Sequence, residues 1–518
     1  MPKAAAGRGR PKGPIDPKER KMRQMSRALG IDIAQVAKLL EEQEAGGSAA
    51  AGGSATASPA AAQLKQDLMG EASEEGSAGN AAGKGEAATE QPDDLKPPEH
   101  GAPGAVVVCG GTDWDTVGKS KATGSGNLYS PHSLQFKTRI VAIYSGSTAC
   151  HSIAVDASGA AYAWGRNDMG QCGVGSKKSV AAPAKMKLGA AVVAAACGRA
   201  HTALVTSDGG LYTCGCGSSG QLGSGRIVAD KTPVTAPASI PLPGGAKAHA
   251  VACGADFTVV VATDGRLFAF GHPEYGQLGN DTNGEFFVSG NKIAFDFKPS
   301  PFQITEFVKR DEKHKLVETS ADVRFCAVAC GRNHTIALER PPGKRIFSWG
   351  FGGYGRLGHA GSDNEMTPRV INMFERMSHV TIKTLAAGGA CSMALATTGH
   401  LYFWGKLPNA PRGEATMYPK IVEDLGNWSC RCMAASSQCI MVGAESSAVS
   451  WGQAIAGELG YGEGEDIPKT SRKPKILDAL EGLTVTGVAM GLAHSVLLID
   501  DTKDDDKAMI KKLPKYPA

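Results

Sequence analysis

Four histidines, His151, His201, His334 and His494, are the first residues in this chain that could form a chemical site. Brought together, such imidazoles would hold a transition metal. Their contexts argue against it. Each ends a stretch of one type (TACHS, CGRAHT, CGRNHT, GLAHS), and Phe257, Cys391 and Cys439 hold the same place in further copies. A residue that recurs once per copy is carried away from its equivalents. The histidines are therefore expected to be structural, each bridging a turn by hydrogen bonds. Thirteen cysteines are an odd number, and most sit inside strand-like runs, as reduced cysteines of a cytosolic or nuclear protein would. Cys214/Cys216 and Cys430/Cys432 are C-x-C pairs without the C-x-x-C partners of a zinc site. Gly352, Gly353, Tyr354 and Gly355 lack the Lys-Ser/Thr of a phosphate-binding loop. No Ser/His/Asp array or paired-carboxylate spacing occurs. The expectation is a protein without catalytic residues, metal or cofactor.

What positions these residues is a repeat. Seven β-prone runs end in glycine: VVVCG (106–110), AYAWG (161–165), LYTCG (211–215), LFAFG (267–271), IFSWG (346–350), LYFWG (401–405) and AVSWG (448–452). Their final glycines lie 55, 50, 56, 79, 55 and 47 residues apart. A period of this size indicates a propeller, in which the core is used to stack blades and function sits on loops, the channel mouth or the tails. One unit reads as a strand (192–198), a second (201–206), a turn at 207–210, the LYTCG strand, the GQLG turn (220–223) and a Pro-bearing outer strand (232–237). The fold class expected is all-β: a seven-bladed β-propeller over 105–500. The chain enters at a third-strand motif and leaves at a second-strand motif (495–499), so both ends share one blade and no sheet edge is left free. Trp164, Trp349, Trp404 and Trp451 are expected to pack between blades.

Two departures stand out. The fourth interval is about 25 residues longer than its neighbours, with the surplus in 286–323, including the charged run Lys309, Arg310, Asp311, Glu312, Lys313, His314, Lys315. It is expected to be a loop on one face, often the binding face. In the sixth copy GQLG gives way to KLPNAPRG (406–413).

The net charge of +4 hides blocks. Residues 1–27 carry nine Lys/Arg against Asp16 and Glu19, and residues 41–99 carry twelve Asp/Glu against Lys65, Lys84 and Lys96. Arg8, Gly9, Arg10, Pro11 and Lys12 form a Gly-Arg-Pro core like that of an AT-hook, whose arginines lie along a narrow A·T minor groove. A nuclear-import signal or a plain basic tail is the other reading. Residues 18–44 space Met22, Met25, Leu29, Ile33, Val36 and Leu40 as one stripe of an amphipathic helix. Residues 45–104, rich in Ala, Gly, Ser and Glu, read as a disordered acidic linker, and 501–518 as a C-terminal tail. No apolar run approaches the ~20 residues that span a bilayer.

The copies GRNDMGQCG, GCGSSGQLG, GHPEYGQLG and GFGGYGRLG, each followed by strand text and then ACGRxHT-like text, resemble the regulator-of-chromosome-condensation repeat family over about 105–500. The non-repeat stretches EATMYPK (414–420) and IKKLPKY (510–516) narrow that resemblance to one branch. It implies a seven-bladed propeller that binds small Ras-superfamily GTPases, in exchange or restraint. It further implies association with chromosomes, centromeres and mitotic microtubules, a nuclear and nucleolar location, and a cytoskeletal pool. An exchange factor works by differential binding of the empty GTPase, usually through acidic or wedge-like loop residues. The loop residues unlike their repeat counterparts are Asp113, Asp115, Asp168, Glu274, Tyr275, Lys309, Arg310, Asp311, Glu312, Tyr354, Arg356, Glu414 and Tyr418. The ultraviolet-sensing propellers carry Trp in the second-strand motif where this chain has Arg199-Ala200-His201-Thr202, so that reading is poor. A scaffold subunit of a nuclear, ribonucleoprotein or cytoskeletal assembly is the alternative function.

Overall fold

The structure is a computed structural model that describes residues 94–96, 98, 100–118, 126–228, 232–289, 292–377, 379–408 and 414–517. The AT-hook-like residues Arg8, Gly9, Arg10, Pro11 and Lys12, the helix expected over 18–44 and the linker up to residue 93 lie outside the described residues.

The described chain is an all-β propeller made of antiparallel four-stranded sets. The second set shows the plan: Val192–Cys197, His201–Thr206, Leu211–Gly215 and Val234–Ile240 pair in that order from the axis outward. Innermost strands of the first to sixth sets are Ile140–Tyr144, Val192–Cys197, Ala248–Cys253, Phe325–Cys330, Ile382–Ala387 and Cys430–Ala435. A further set is built by both ends of the propeller chain. Val485–Met490 and His494–Asp500 supply its inner half, and Gly104–Gly110 with Leu128–Leu134 its outer half. The join is an unbroken antiparallel register from Gly104↔Asp500 to Gly110↔His494. Val485–Met490 touches both Cys430–Ala435 and Ile140–Tyr144, so the succession of inner strands returns to its start.

Burial follows from this stacking. Each second strand is flanked by strands and faced by neighbouring sets, and HTALVT of His201–Thr206 is buried at every position. Inner strands end in small residues because they converge on the axis; Ala196, Cys253, Ala329, Ala387, Ala435 and Ala489 line a central channel. Outer strands carry proline in every set (Pro131, Pro183, Pro237, Pro301, Pro368, Pro419, Pro474), which removes a donor from the free edge and discourages edge pairing. The glycine that closes each third strand is set by sterics. Gly165 has φ +119°, and a Cβ there would stand 2.5 Å from the His151 Cα.

The expected long loop is not a loop. The span 286–323 holds the outer strand of the third set itself, Lys298–Ile304, flanked by two hairpins. Glu285–Ser289 and Lys292–Phe295 form an isolated two-stranded sheet. Phe307–Arg310 and Leu316–Ser320 extend the fourth set at its outer edge, through Val308↔Arg369. Phe307 packs against Phe325 and Phe347, and this apolar anchor makes the second hairpin part of the sheet.

Beyond residue 500 the chain folds back. Asp504–Lys512 is a helix with Asp504, Asp505 and Asp506 in its first turn and Lys511 and Lys512 in its last, the arrangement its dipole favours. Ser133 donates its N–H to the Pro514 carbonyl at 2.8 Å, and the buried Tyr516 donates its hydroxyl to the Ala181 carbonyl of the first set at 3.1 Å.

Candidate interaction surface

Third strands all run the same way, so every loop that follows a third-strand glycine emerges on one side of the propeller, called here the corner side. Asp113, Asp115, Asp168, Glu274, Tyr275, Tyr354, Arg356 and Glu414 all lie on such loops, and Tyr418 lies on the outer strand Thr416–Ile421 just after one. They share a side but not a cluster.

The corners of the third, fourth and fifth sets do meet. The Tyr275 ring lies 4.8 Å from Phe351, the Arg356 guanidinium lies 4.5 Å over Phe351 and 5.8 Å from Tyr354, and the Lys406 ammonium lies 5.4 Å over Tyr354. The result is a continuous aromatic and cationic strip. Arg356 itself is only 4% exposed. It donates to the carbonyls of Gly353 (2.8 Å) and, in the next set, Gly389 (2.7 Å). Burial pushes its guanidinium down to about 10. Tyr354 is 54% exposed at φ +63°, a left-handed conformation that costs a tyrosine on the order of 1 kcal/mol and turns its ring outward. Burial, reinforced by Glu274, raises the Tyr275 hydroxyl above its usual range. Sequence reasoning missed Phe351 and Lys406. Their signal was present: the position after the third-strand glycine holds Arg166, Cys216 and His272 in other copies.

The acids of the first corners serve their own loops. Asp113 accepts from the Thr116 hydroxyl (2.6 Å), Asp115 from Ser179 of the neighbouring corner (2.6 Å), and Asp168 pairs with Arg166 (2.8 Å). Glu414 lines a cavity with Lys406 and Lys420, and Tyr418 stacks under Lys420 at 5.1 Å. Residues 409–413 of the sixth-copy loop lie outside the described residues.

Lys309, Arg310, Asp311 and Glu312 stand on the second hairpin, at the rim. Lys309 pairs with Glu375 (2.9 Å) and Glu312 with Arg376 (2.6 Å), both on the short helix Asn372–Arg376; Arg310 approaches Glu365 at 3.9 Å. Asp311 caps its own turn by accepting from the Lys313 and Lys315 N–H groups. The first hairpin is different. It leaves from the corner loop that carries Glu274 and Tyr275, and it exposes Phe286, Phe287, Val288 and Ile293, with Phe287 65% exposed.

The four histidines are buried and do not converge. Each crosses a seam instead of bridging a turn. His151 Nε2 meets Thr202 (2.8 Å), His201 meets Thr258 (3.0 Å), His334 meets Ser392 (2.9 Å) and His494 meets Ser152 (2.6 Å), always in the next set. The Thr202, Thr258 and Ser392 hydroxyls donate their single proton to the carbonyls of Gln171, Gln221 and Arg356, so those three histidines must donate from Nε2–H. Burial favours the neutral form of all four, depressing His151 to about 3 and His201 and His494 to about 4, and His334 well below its usual range. Trp164, Trp349 and Trp404 are fully buried, and Trp349 donates its indole N–H to Gln277 O of the preceding set at 2.9 Å. All thirteen cysteines are free, and among the described residues no group of His, Cys, Asp and Glu has metal-binding geometry. No helix among them is long and apolar enough to cross a membrane.

Repeat plan, cross-seam histidines and shared closing set together define a class of propeller. The model of the regulator of chromosome condensation (RCC1) repeat matches residues 158–205, 208–261, 264–338 and 345–395. The chain belongs to this family. Within it, the chain is 38% identical over 426 residues to Protein RCC2 homolog of Danio rerio, covering 80% of this chain and 84% of that one. It is 37% identical to Protein RCC2 of Homo sapiens, covering 80% and 79%. Among solved structures, Prp20p of Saccharomyces cerevisiae superposes with a TM-score of 0.60 at 20% identity, covering 80% of this chain and 95% of that chain.

Proposed function

We propose that each four-stranded set is one blade of a seven-bladed closed ring, and that this ring is a non-catalytic binding protein whose corner side takes a small Ras-superfamily GTPase. One observation carries this reading: the strip Tyr275, Phe351, Arg356, Tyr354, Lys406 lies on the side from which the apolar hairpin Glu285–Ser289/Lys292–Phe295 projects. Outward rings beside fixed cations are the composition of an interface centre, and exposed apolar side chains on a monomer mark contact surfaces. The family resemblance supplies the class of partner. The Prp20p structure is described together with that protein's binding to Gsp1p and histones, which supports a chromatin connection here as well. In this reading the basic segment with Arg8, Gly9, Arg10, Pro11 and Lys12 contacts DNA, and the location is nuclear, with mitotic microtubules as further partners.

Capture of GTPases by the full chain in nucleotide-free, GDP-loaded and GTP-loaded forms tests the proposal. Preference for the empty form indicates exchange; preference for a loaded form indicates restraint. Phe287→Asp should weaken capture at least tenfold while leaving the melting temperature unchanged, because Phe287 packs against nothing in the core. Capture of no small GTPase overturns the reading in favour of a scaffold subunit. Removal of residues 1–27 should lower DNA affinity and flatten its salt dependence.

A further inference from the structure

Proline interrupts the outer strand of every set, and in the other sets no named strand lies beyond it. The fourth set is the exception. Its proline strand, Glu365–Val370, is covered by the hairpin Phe307–Arg310/Leu316–Ser320, so the sheet ends instead on Leu316–Ser320. That strand reads LVETS: it has no proline, and Leu316 and Val317 are 49% and 61% exposed. In an antiparallel pair every second residue turns its N–H and C=O away from the neighbouring strand, and here that outer side is solvent. Proteins ordinarily blunt such an edge with proline, charge or cover. The single charge within this strand, Glu318, is held along the hairpin, accepting from the Ser320 hydroxyl (2.7 Å) and pairing with Arg345 (3.4 Å). The edge is also held ready. Phe307, buried against Phe325 and Phe347, fixes the hairpin, so a partner meets a strand already formed.

The molecule itself shows what an outer edge takes. On the shared set the C-terminal tail runs beside Leu128–Leu134: Ser133 donates its N–H to the Pro514 carbonyl (2.8 Å), and Tyr516 donates its N–H to the Ser133 carbonyl (2.9 Å). A second copy fits the fourth-set edge poorly, since full antiparallel overlap of Leu316–Ser320 with itself sets Glu318 opposite Glu318. Charge favours a different occupant. Asp311 caps its own turn and Glu312 pairs with Arg376, which leaves the exposed Lys313 and Lys315 as the cations at the start of the edge.

We propose that Leu316–Ser320 is a docking edge for an extended peptide segment of another protein, which joins the fourth sheet as a further strand antiparallel to it. Read from its N-terminus, that segment carries two adjacent apolar residues, opposite Val317 and Leu316, and then acidic residues opposite Lys315 and beside Lys313. Main-chain hydrogen bonds supply the affinity, and the charges set the direction. The edge lies at the rim, so the proposal stands apart from the GTPase reading of the corner strip.

The test follows amide hydrogen exchange across residues 311–323 of the full chain, with the peptide acetyl-Thr-Thr-Thr-Val-Ile-Glu-Glu-amide as probe. Saturable slowing of the outward amides of Leu316–Ser320, by about tenfold, is expected. Replacing both glutamates of the peptide by lysine should weaken binding about fivefold, and the double variant Lys313→Glu, Lys315→Glu should reverse that preference. Two peptides N-methylated at alternate positions, one along each main-chain edge, separate strand addition from apolar adhesion: one should lose binding and the other keep it. Equal binding of these two, or no slowing by the unmethylated peptide, overturns the proposal. Slow exchange along the whole strand before peptide is added also overturns it. If that protection fades on dilution, a second copy holds the edge; if it persists, residues 1–93 of the same chain hold it.

Discussion

Between the first and second sets a histidine crosses the seam. Between the sixth set and the shared set, the same repeat positions hold a cysteine and a buried carboxylate. At the first seam His151 reaches Thr202, which donates to Gln171 O. At the other, Cys439 stands in place of the histidine and Glu458 in place of the glutamine; Ser495 still donates to the Glu458 carbonyl at 2.6 Å. Glu458 is 0% exposed, and its side chain accepts from the N–H groups of Ile455 (2.7 Å) and Ala456 (2.8 Å) and from the Cys439 thiol. Burial raises its carboxyl above the usual range, against the pull of those two backbone donors, and burial with Glu458 pushes the Cys109 thiol up to about 12. These two seams thus keep the hydroxyl-to-corner bond and vary what completes it. The histidine seams add a directional bond between sets, whereas the cysteine seam relies on packing.

Removing the crossing group is the strongest way to break this contrast. His201→Ala leaves the Thr258 hydroxyl without its donor and opens a cavity in a fully buried site, and should destabilise by about 3 kcal/mol in urea unfolding. Cys391→Ala, at a repeat position where the next set offers Ile440 and no hydroxyl, should cost only about 1 kcal/mol. Equal costs would mean that the crossing bond contributes nothing. Acid should separate the seams next. Below the usual histidine value near 6.5, the unfolded chain takes up protons that His151, His201 and His494 refuse until about 3 to 4. Their stability is complete above pH 6.5 and is lost as pH falls, by about 1.4 kcal/mol per pH unit for each histidine. The urea midpoint should therefore fall steeply from pH 7 to pH 5, and less so in His201→Ala. Glu458 has the opposite sign. Its raised value makes the carboxyl most favourable when protonated, so its contribution declines as pH rises above the ordinary carboxyl range. Glu458→Gln should raise the urea midpoint at pH 7 and lose that advantage near pH 4; a lower midpoint at pH 7 would show that the backbone donors outweigh burial.

Most of the plan was legible in the residues because the constraints are local. The third-strand glycine is demanded by its own φ and by the backbone it faces, so it recurs as a visible mark. The mixed closing set followed from which motifs stand first and last. The histidine partner was not legible. Thr202 lies 51 residues from His151, and only the packing of sets decides whether a hydroxyl meets a ring within its own turn or across a seam. The insertion misled for a related reason. EFFVS and FVKR are both short β-prone runs, and only Phe307, buried against Phe325 and Phe347, makes one of them part of a sheet while the other stands alone. In the candidate surface, Tyr275 and Tyr354 were legible as departures from the repeat, but the ring and the ammonium that join them, Phe351 and Lys406, come from corners whose glycine marks lie 79 and 55 residues after the preceding ones, and meet only in space.

The register from Gly104↔Asp500 to Gly110↔His494 gives the molecule an unusual relation to length. In an open stack of repeats, losing the last unit removes one interface and leaves the rest standing. Here a stop codon just before Val485 would delete two strands and strand two others at the far end of the chain, exposing the flanks of both the first and sixth sets. By the same geometry, residues 104 and 500 are neighbours. Joining them by a short linker and opening the chain at another surface turn should yield a permuted protein with the same circle of sheets, because a circle has no preferred place to begin.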